Sequence, residues 1–238
     1  MTKVSFGTLR IDGKPAAPRV KYIRAMALEY CPGIGLCDTT PGKEIGWTMV
    51  DDVFVATSNI LLDVDWQVLN FYKLSAGRMM VIDNLPFVVR LPAGGPDLAE
   101  PTELRSIVRQ LDSEDGGLSW GNDKTQYSNA HLVWKPQMDY NPRYQSDGSD
   151  KGVGWRPILD PVRINIDEHR IGQRIWVWTK SGHGIVGNLA EYSEYDLLLE
   201  AAACPIVGDG NNSFAFLKNS KATIDRSGIW CIQAYQGE

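Results

Sequence analysis

The sequence predicts an α+β fold in two domains, of which the second is a small antiparallel β-barrel. The barrel is predicted from residues 176–199, where apolar residues alternate, a Ser181-Gly182 turn intervenes, and the alternation resumes at Ile185. A helix is predicted from residues 102–111, where apolar residues recur at helical spacing. The 23 glycines and 13 prolines are typical of strands joined by many turns.

The first elements are predicted from short apolar runs bounded by turn residues. Val4–Ile11 alternates and is followed by Asp12-Gly13, which predicts a strand that ends in a turn. Residues 47–62 predict a further strand and its continuation. Asp65 is placed to cap a short helix, and residues 22–30 fit either a helix or a strand.

A hairpin and the best helix follow. Arg78–Ile82 and Pro86–Leu91 are apolar runs joined by residues 83–85, and the Asp and Asn of that joint tolerate the backbone conformations of a tight turn. Thr102 is a plausible N-cap for the helix. The apolar face of this helix, which we expect in the core, consists of Leu104, Ile107, Val108 and Leu111.

Residues 112–154 are polar and aromatic, and they predict a long loop of the kind that often carries function. Val153–Leu159 then predicts a strand that is broken at Arg156-Pro157. We expect Arg156 to have a structural role, reaching a carboxylate or backbone carbonyls. A boundary at about residue 165 separates a domain of residues 1–165 from a domain of residues 166–238.

The barrel strands carry a signal of strong curvature. Gly187 interrupts the second alternating run at the place where a bent strand needs a residue without Cβ. A third apolar run, Tyr195–Leu199, completes the pattern.

Composition and charge exclude some classes of function. The chain is 43% hydrophobic and 22% charged, as is usual for a soluble globular protein, and its net charge of −5 argues against salt-driven binding to nucleic acid. No apolar run is long enough for a membrane span, and the first residues lack the layout of a secretion signal. We therefore expect a cytoplasmic or phage-particle-associated protein with no membrane partner.

The sequence contains no recognisable catalytic or metal-binding set. The three histidines are not paired with each other or with cysteine at metal-ligand spacing, and we expect them on the surface or in loops. No nucleophile elbow, P-loop or dinucleotide-binding fingerprint is present. We therefore predict no catalytic residue, no metal site and no cofactor. The histidines are His131, His169 and His183.

The four cysteines favour reduced, mostly buried thiols. Cys31 and Cys37 are separated by five residues, which is more than the usual spacing of a zinc knuckle. Because Pro and Gly allow a tight loop between them, a Cys31–Cys37 disulfide is the alternative interpretation.

Three segments in a particular order resemble a known family. They are the hairpin that ends in Val89–Pro92, the helix that follows Thr102, and Gly154-Trp-Arg-Pro-Ile-Leu159, with Trp120-Gly121 as an earlier element. Over about residues 60–161 they resemble the C-type-lectin-like fold of the formylglycine-generating-enzyme and sulfatase-modifying-factor type.

This resemblance implies a mixed fold with a long-loop face, which many members use for ligand binding and some for catalysis. The thiol chemistry of the catalytic members is not implied, because no cysteine lies between Cys37 and Cys204. Phage and prophage receptor-binding proteins also have this fold, so the resemblance implies a bacterial or prophage binding protein.

The end of the chain, residues 170–238, resembles an Sm-like or SH3-like barrel. Lys180–Leu189 is similar to the first Sm signature, with a turn glycine and then a glycine before leucine. Asp196 lies near the position of that family's base-reading Asn, and Asp225–Ile232 lacks the Arg-Gly of the second signature. The resemblance therefore implies the barrel but not RNA binding.

We predict a non-catalytic binding or interaction protein that uses the 112–154 face to recognise a protein or carbohydrate ligand. Tyr and Trp among Asn and Ser form adaptable contact surfaces. The alternatives are an enzyme with its active site on the same face and nucleic-acid binding through the barrel, and the oligomeric state is left open. The predicted binding residues are Trp120, Asn122, Tyr127, Trp134, Tyr140 and Tyr144.

Overall fold

The computed structural model describes residues 2–23, 33–94, 102–111, 117–124, 131–136, 143–145, 152–166 and 171–237. The fold is mostly β, with 53% of the described residues in strands. The two α-helices within the described ranges have six and eight residues. The predicted α+β class is therefore not confirmed. Neither helix is long and apolar enough to cross a membrane.

The strands in chain order are β1 (Lys3–Ile11), β2 (Lys14–Ala16), β3 (Val20–Lys21), β4 (Ile34–Cys37), β5 (Glu44–Val50), β6 (Val53–Ala56), β7 (Leu61–Leu62), β8 (Arg78–Ile82), β9 (Leu85–Arg90), β10 (Leu118–Lys124), β11 (His131–Trp134), β12 (Arg143–Gln145), β13 (Val153–Gly154), β14 (Ile158–Pro161), β15 (Arg174–Thr179), β16 (Gly184–Tyr192), β17 (Asp196–Ile206), β18 (Ala215–Lys218), β19 (Lys221–Asp225) and β20 (Ile229–Ala234). The helices are α1 (Trp66–Phe71), α2 (Glu103–Gln110) and the 3₁₀ turn Arg226–Gly228.

The chain forms two compact units. The first contains Phe6–Asp83 and Val88–Asp160, and the second contains Pro161–Glu238 together with the short segments Thr2–Ser5 and Asn84–Phe87. The single boundary at about residue 165 stays a prediction.

The sheets of the first part of the chain confirm the early strands. An eight-stranded sheet has the order β2-β1-β5-β6-β14-β9-β8, with β4 also paired to β1. The predicted strand Val4–Ile11 is β1. The predicted strand in residues 47–62 is divided between β5, β6 and β7, because the chain turns at Asp51, where φ is 46°. The short strands β3 and β7 form a parallel pair.

The hairpin predicted around residue 84 is confirmed, with a tighter turn than expected. Asp83 and Asn84 have φ values of 53° and 64°, so these two residues alone make the turn. Leu85 already belongs to β9.

The helix predicted after Thr102 is also confirmed. The Thr102 hydroxyl accepts a hydrogen bond from the Arg105 N–H at 3.2 Å, which satisfies one free donor of the first turn of α2. The apolar face of α2 packs on β5 and β6 in one buried cluster with Val50, Val53 and Val55. Asp65 lies at the N-cap of α1 as predicted, but its side chain makes no capping hydrogen bond.

The long loop predicted for residues 112–154 is wrong over the described part of that segment. Strands β10, β11, β12 and β13 lie there and form a four-stranded sheet of order β12-β11-β10-β13. Trp120 and Trp134 of these short strands are buried, and their burial offsets the weak strand propensity of the surrounding Asn, Asp and Gly.

The second unit contains the predicted barrel strands as an open sheet. Its order is β18-β19-β17-β16-β15-β20, and the sheet is a curled half-barrel. Within the described ranges β18 and β20 are its two edges, so the predicted closed barrel is corrected to a half-barrel.

The curvature of this sheet follows from register shifts between β16 and β17. One shift lies between Val186 and Asn188, on either side of Gly187. A Cβ on Gly187 would lie 2.9 Å from the Cβ of Leu199, so only glycine allows the close approach that the bend requires. The prediction for Gly187 is therefore confirmed.

Candidate functional site

Two of the predicted binding residues lie in the core. Trp120 and Trp134 are 0% and 2% exposed. The Trp120 indole donates to the Val64 carbonyl at 2.6 Å, and the Trp134 indole donates to the Trp120 carbonyl at 3.1 Å. Because both rings are enclosed and both N–H groups are satisfied inside the protein, neither ring is available to a ligand at the surface.

The structure describes the other predicted binding residues only in part. Asn122 is half-buried, and its backbone N–H donates to the Pro92 carbonyl at 2.9 Å. Tyr144 lies in β12 opposite Leu132, and its side chain is outside the description. Tyr127 and Tyr140 lie outside the described residues.

The expected surface or loop position is wrong for His131, which lies buried in β11, whereas His183 lies in the loop between β15 and β16, as expected, but is also buried. They are 2% and 6% exposed. His131 stacks on Trp66, with ring centroids 3.9 Å apart. His169 lies outside the described residues.

Ser181 and His183 are the nearest approach to a nucleophile–base pair among the described side chains. The Ser181 Oγ lies 3.1 Å from the His183 Nδ1 and 2.8 Å from the Thr179 Oγ1. Thr179 and His183 are further joined by backbone bonds across the same turn, where Gly182 has a φ of +80°. Because all three side chains are buried and bonded to one another, we assign this network to closure of the β15–β16 turn.

Arg156 has the structural role that the sequence predicts. It is fully buried, and its guanidinium donates to the carbonyls of Ala56 at 3.3 Å and Thr57 at 2.8 Å and to the Ser119 hydroxyl at 3.2 Å. It also lies over the Trp134 ring, 5.6 Å from the centroid. The guanidinium thereby connects β10, β11 and the segment after β6.

An open groove of ≈ 500 Å³ lies on the second unit and is the best candidate for a binding site. We call it the β18 groove. Its wall includes the exposed rings of Tyr195 and Phe216, 78% and 67% exposed. Asp196, Asn212, Phe214 and Asp225 also line the groove.

The β16–β17 turn holds Tyr195 at the rim of this groove. The Ser193 hydroxyl accepts from the N–H groups of Tyr195 at 3.0 Å and Asp196 at 3.1 Å, and it donates to the Asp196 carboxylate at 2.5 Å. The Tyr195 carbonyl accepts from the Arg226 N–H at 2.9 Å. The turn is therefore fixed at several points while the ring of Tyr195 remains in solvent.

The two ends of the groove region carry opposite charge. Asp196 and Asp225 are directly opposite each other in the β17–β19 pair, so both side chains lie on one face. At the other end of the β18–β19 hairpin, Lys218 is opposite Lys221. The Ser227 hydroxyl and N–H bond to the Asp225 carboxylate and lower its pKa, which keeps the acidic end charged.

The outer edge of β18 presents backbone groups that no described strand pairs. In an antiparallel hairpin with a two-residue turn, the pair next to the turn exchanges hydrogen bonds and the pairs then alternate. Asn219 and Ser220 form such a turn, with φ values of 51° and 56°. It follows that Ala215 and Leu217 direct their N–H and C=O groups outward.

Sequence reasoning did not find this groove. The short apolar run Phe214–Leu217 is a strand signal, and the Asn219-Ser220 pair after it is a hairpin signal. Neither signal tells whether the strand lies at an edge, because that depends on which strands pair across the sheet.

The described residues include no group of three His, Cys, Asp or Glu that could hold a metal ion. Cys37, Cys204 and Cys231 form no disulfide among the described residues, and Cys31 lies outside the described ranges. Burial raises the pKa of the Cys37 and Cys204 thiols, which makes them poor nucleophiles at neutral pH.

Comparison with protein families, curated proteins and solved structures finds no match to this chain.

Proposed function

We propose that this chain is a non-catalytic binding protein that holds an extended protein segment along the outer edge of β18. The observation that carries the proposal is an unpaired strand edge beside an open groove with exposed rings of Tyr195 and Phe216. An extended segment that adds to a sheet edge gains main-chain hydrogen bonds, and side-chain pockets give it specificity. Exposed strand edges are normally protected by charge or by a covering element; β18 is short and ends at Lys218, but its other three residues are apolar, and an exposed apolar edge indicates a partner.

The chemistry of the groove favours a protein segment over nucleic acid. Asp196 and Asp225 place two carboxylates in the groove, which repel phosphate groups and attract Lys or Arg. The aromatic rings beside them provide apolar contact area at low entropic cost. The expected ligand is therefore an extended segment with apolar residues and at least one cation.

This proposal places the recognition surface at the β18 edge instead of at residues 112–154. Burial of Trp120 and Trp134 removes the two largest side chains from that face. The described residues of β18 and its neighbours supply exposed aromatic rings instead.

We also propose the finer fold assignments suggested by the sequence. An Sm-like or SH3-like origin of the second unit is supported by the meander β19-β17-β16-β15, whose strand β15 pairs with the last strand β20. A C-type-lectin-like origin of the first unit is supported by the buried position of Trp155 and Arg156 within its Gly-Trp-Arg-Pro motif. A crystal structure with a different strand order would contradict both assignments.

The test of function uses two substitutions at one position. The Leu217 N–H points outward, so Leu217→Pro removes a donor needed by an added strand but no hydrogen bond of the β18–β19 ladder. Leu217→Ser shortens the side chain and keeps the N–H. A library of random ten-residue peptides displayed on phage is selected on the immobilised native chain, and the selected peptides are then measured on all three proteins.

We expect Leu217→Pro to weaken peptide binding about tenfold or more, since each lost hydrogen bond costs about 1 kcal/mol and the ring blocks its neighbours. Leu217→Ser should bind within a few-fold of the native chain, and bound peptide should slow hydrogen exchange of the Leu217 amide. Equal binding to the native chain and Leu217→Pro would show that peptides do not use this edge.

A further inference from the structure

We propose that the segment held at this edge is β18 of a second copy of the chain, paired antiparallel about a two-fold axis at Phe216. This inference rests on the proposed use of the β18 edge and names the occupant of it. The reasons are the register of β18, the side chains that this register brings together, and the distribution of charge along the hairpin.

The register uses every outward backbone group of the strand. Ala215 and Leu217 are the residues whose N–H and C=O groups point away from β19. With the axis at Phe216, Ala215 of one copy is opposite Leu217 of the other. Each such pair exchanges both of its N–H···O bonds, so no outward polar group of β18 remains unpaired.

The same register covers the apolar side chains that are exposed. Phe216 is 67% exposed and comes to lie directly opposite Phe216 of the second copy, in a pair without backbone hydrogen bonds, where side chains approach most closely. Leu217 is 42% exposed and lies opposite Ala215, which packs on the core of the half-barrel. The pairing therefore extends that core across the new boundary.

Charge selects the antiparallel direction. Lys218 has no ion pair within the described part of the chain. In the antiparallel register Lys218 is opposite Phe214 of the second copy. Phe214 is in turn beside Asp225 of that copy, and Asp225 is beside Asp196, so these four side chains form one row across the joined sheets. A parallel pairing would instead place Lys218 beside Lys218 of the second copy, which like-charge repulsion disfavours.

The experiment measures the mass of the full-length chain by sedimentation equilibrium over a wide concentration range. We expect a reversible increase to twice the mass of one chain. Phe216→Lys places two cations opposite each other and Leu217→Pro removes bonding donors, so both should remain monomeric where the native chain is dimeric. Phe71→Lys is the matched control, because Phe71 is also an exposed aromatic residue, at 74%, and lies far from β18 in sequence.

A charge exchange tests the register itself. Lys218→Glu should raise the dissociation constant about tenfold, because it places a third carboxylate in the row of Asp225 and Asp196. Adding Asp225→Lys to the same chain should restore part of the affinity, because Asp225 is the carboxylate of that row nearest to residue 218 of the second copy. Circular dichroism establishes that each variant retains the native strand content.

Three outcomes would overturn the inference. They are a native chain that stays monomeric at every concentration, a dimer that survives both Phe216→Lys and Leu217→Pro, and a charge exchange without rescue. A monomeric native chain whose peptide binding is lost in Leu217→Pro would overturn the second copy as partner while leaving the proposed function intact. Edge variants that alter neither mass nor peptide binding would overturn both.

Discussion

Replacement of Arg156 by methionine tests the assignment of this residue to the core of the first unit. Methionine is unbranched and apolar, so Arg156→Met fills much of the space of the guanidinium but donates no hydrogen bond. The carbonyls of Ala56 and Thr57 and the Ser119 hydroxyl, at 3.3, 2.8 and 3.2 Å from Arg156 nitrogens, each lose a donor, and the contacts with Ala56 and Ser119 are buried while that with Thr57 is partly buried.

The magnitude follows from those lost bonds. A buried acceptor left without a partner costs about 1–3 kcal/mol, and two carbonyls together therefore cost about 2–6 kcal/mol. Loss of the contact with the Trp134 ring adds about 1 kcal/mol, while improved burial of an apolar side chain offsets part of the total. We expect Arg156→Met to lower the free energy of unfolding of the first unit by about 4 kcal/mol.

The assay is urea denaturation followed by tryptophan fluorescence, with each transition fitted separately because two units need not unfold together. At a typical slope of about 2 kcal/mol per molar urea, the midpoint should fall by about 2 M. Arg156→Lys keeps the charge but not the planar guanidinium, so its free energy of unfolding should lie between those of Arg156→Met and the native chain. Arg78→Met, at an exposed position, is the control and should shift stability by about 0.5 kcal/mol at most. A loss below about 1 kcal/mol in Arg156→Met would refute this reasoning.

Two further predictions concern the wall of the β18 groove. Gly228→Ala places a Cβ against the ring of Phe214 and should lower stability by about 1–3 kcal/mol, measured by thermal unfolding of the second unit. In the control Gly33→Ala the new Cβ meets only the Asp12 carboxylate at 3.9 Å, so this variant should be neutral. Equal melting temperatures of the two variants would contradict this prediction. Ser227→Ala should raise the pKa of Asp225 toward its ordinary value, since the Ser227 hydroxyl lowers it. A carboxyl whose pKa is lower in the folded than in the unfolded protein stabilises the fold above its unfolded pKa, and this stability is lost as the pH falls through its folded pKa. The variant should therefore lose stability at a higher pH on acidification, which carboxyl NMR titration and acid unfolding would measure. An unchanged Asp225 titration would contradict the assignment.

Short-range patterns predicted several elements correctly. The apolar face and the Thr102 cap of α2 are properties of one helix, and the Asp83-Asn84 turn needs only residues that tolerate a positive φ. Gly187 is a further case, because the alternation around it already marked a strand that required a bend. For α2 and the Asp83-Asn84 turn the determining interactions lie within about ten residues of one another, so the sequence contains them directly; the contact that requires Gly187 is with Leu199 on the next strand, but the interrupted alternation already indicates the bend.

Residues 112–154 show where such patterns are insufficient. Trp120 and Trp134 are 14 positions apart, and their burial depends on the pairing of β10 with β11 and on the Val64 carbonyl, far earlier in the chain. The polar residues around these short strands favoured the prediction of a loop, because the strands are stabilised by cross-strand packing and not by local propensity. Burial of His131 has the same origin, in its contact with Trp66.

By itself, the sequence determined the strand-rich character, the helix α2, the tight turns and the curvature at Gly187, because these depend on backbone preferences and on the period of neighbouring side chains. Only the tertiary structure decided that the carboxyl-terminal sheet remains open, that β18 is one of its edges, and that Tyr195, Phe216 and two carboxylates meet beside that edge. An edge exists only in relation to the strands that do or do not pair with it, and strand pairing is settled by contacts between distant parts of the chain.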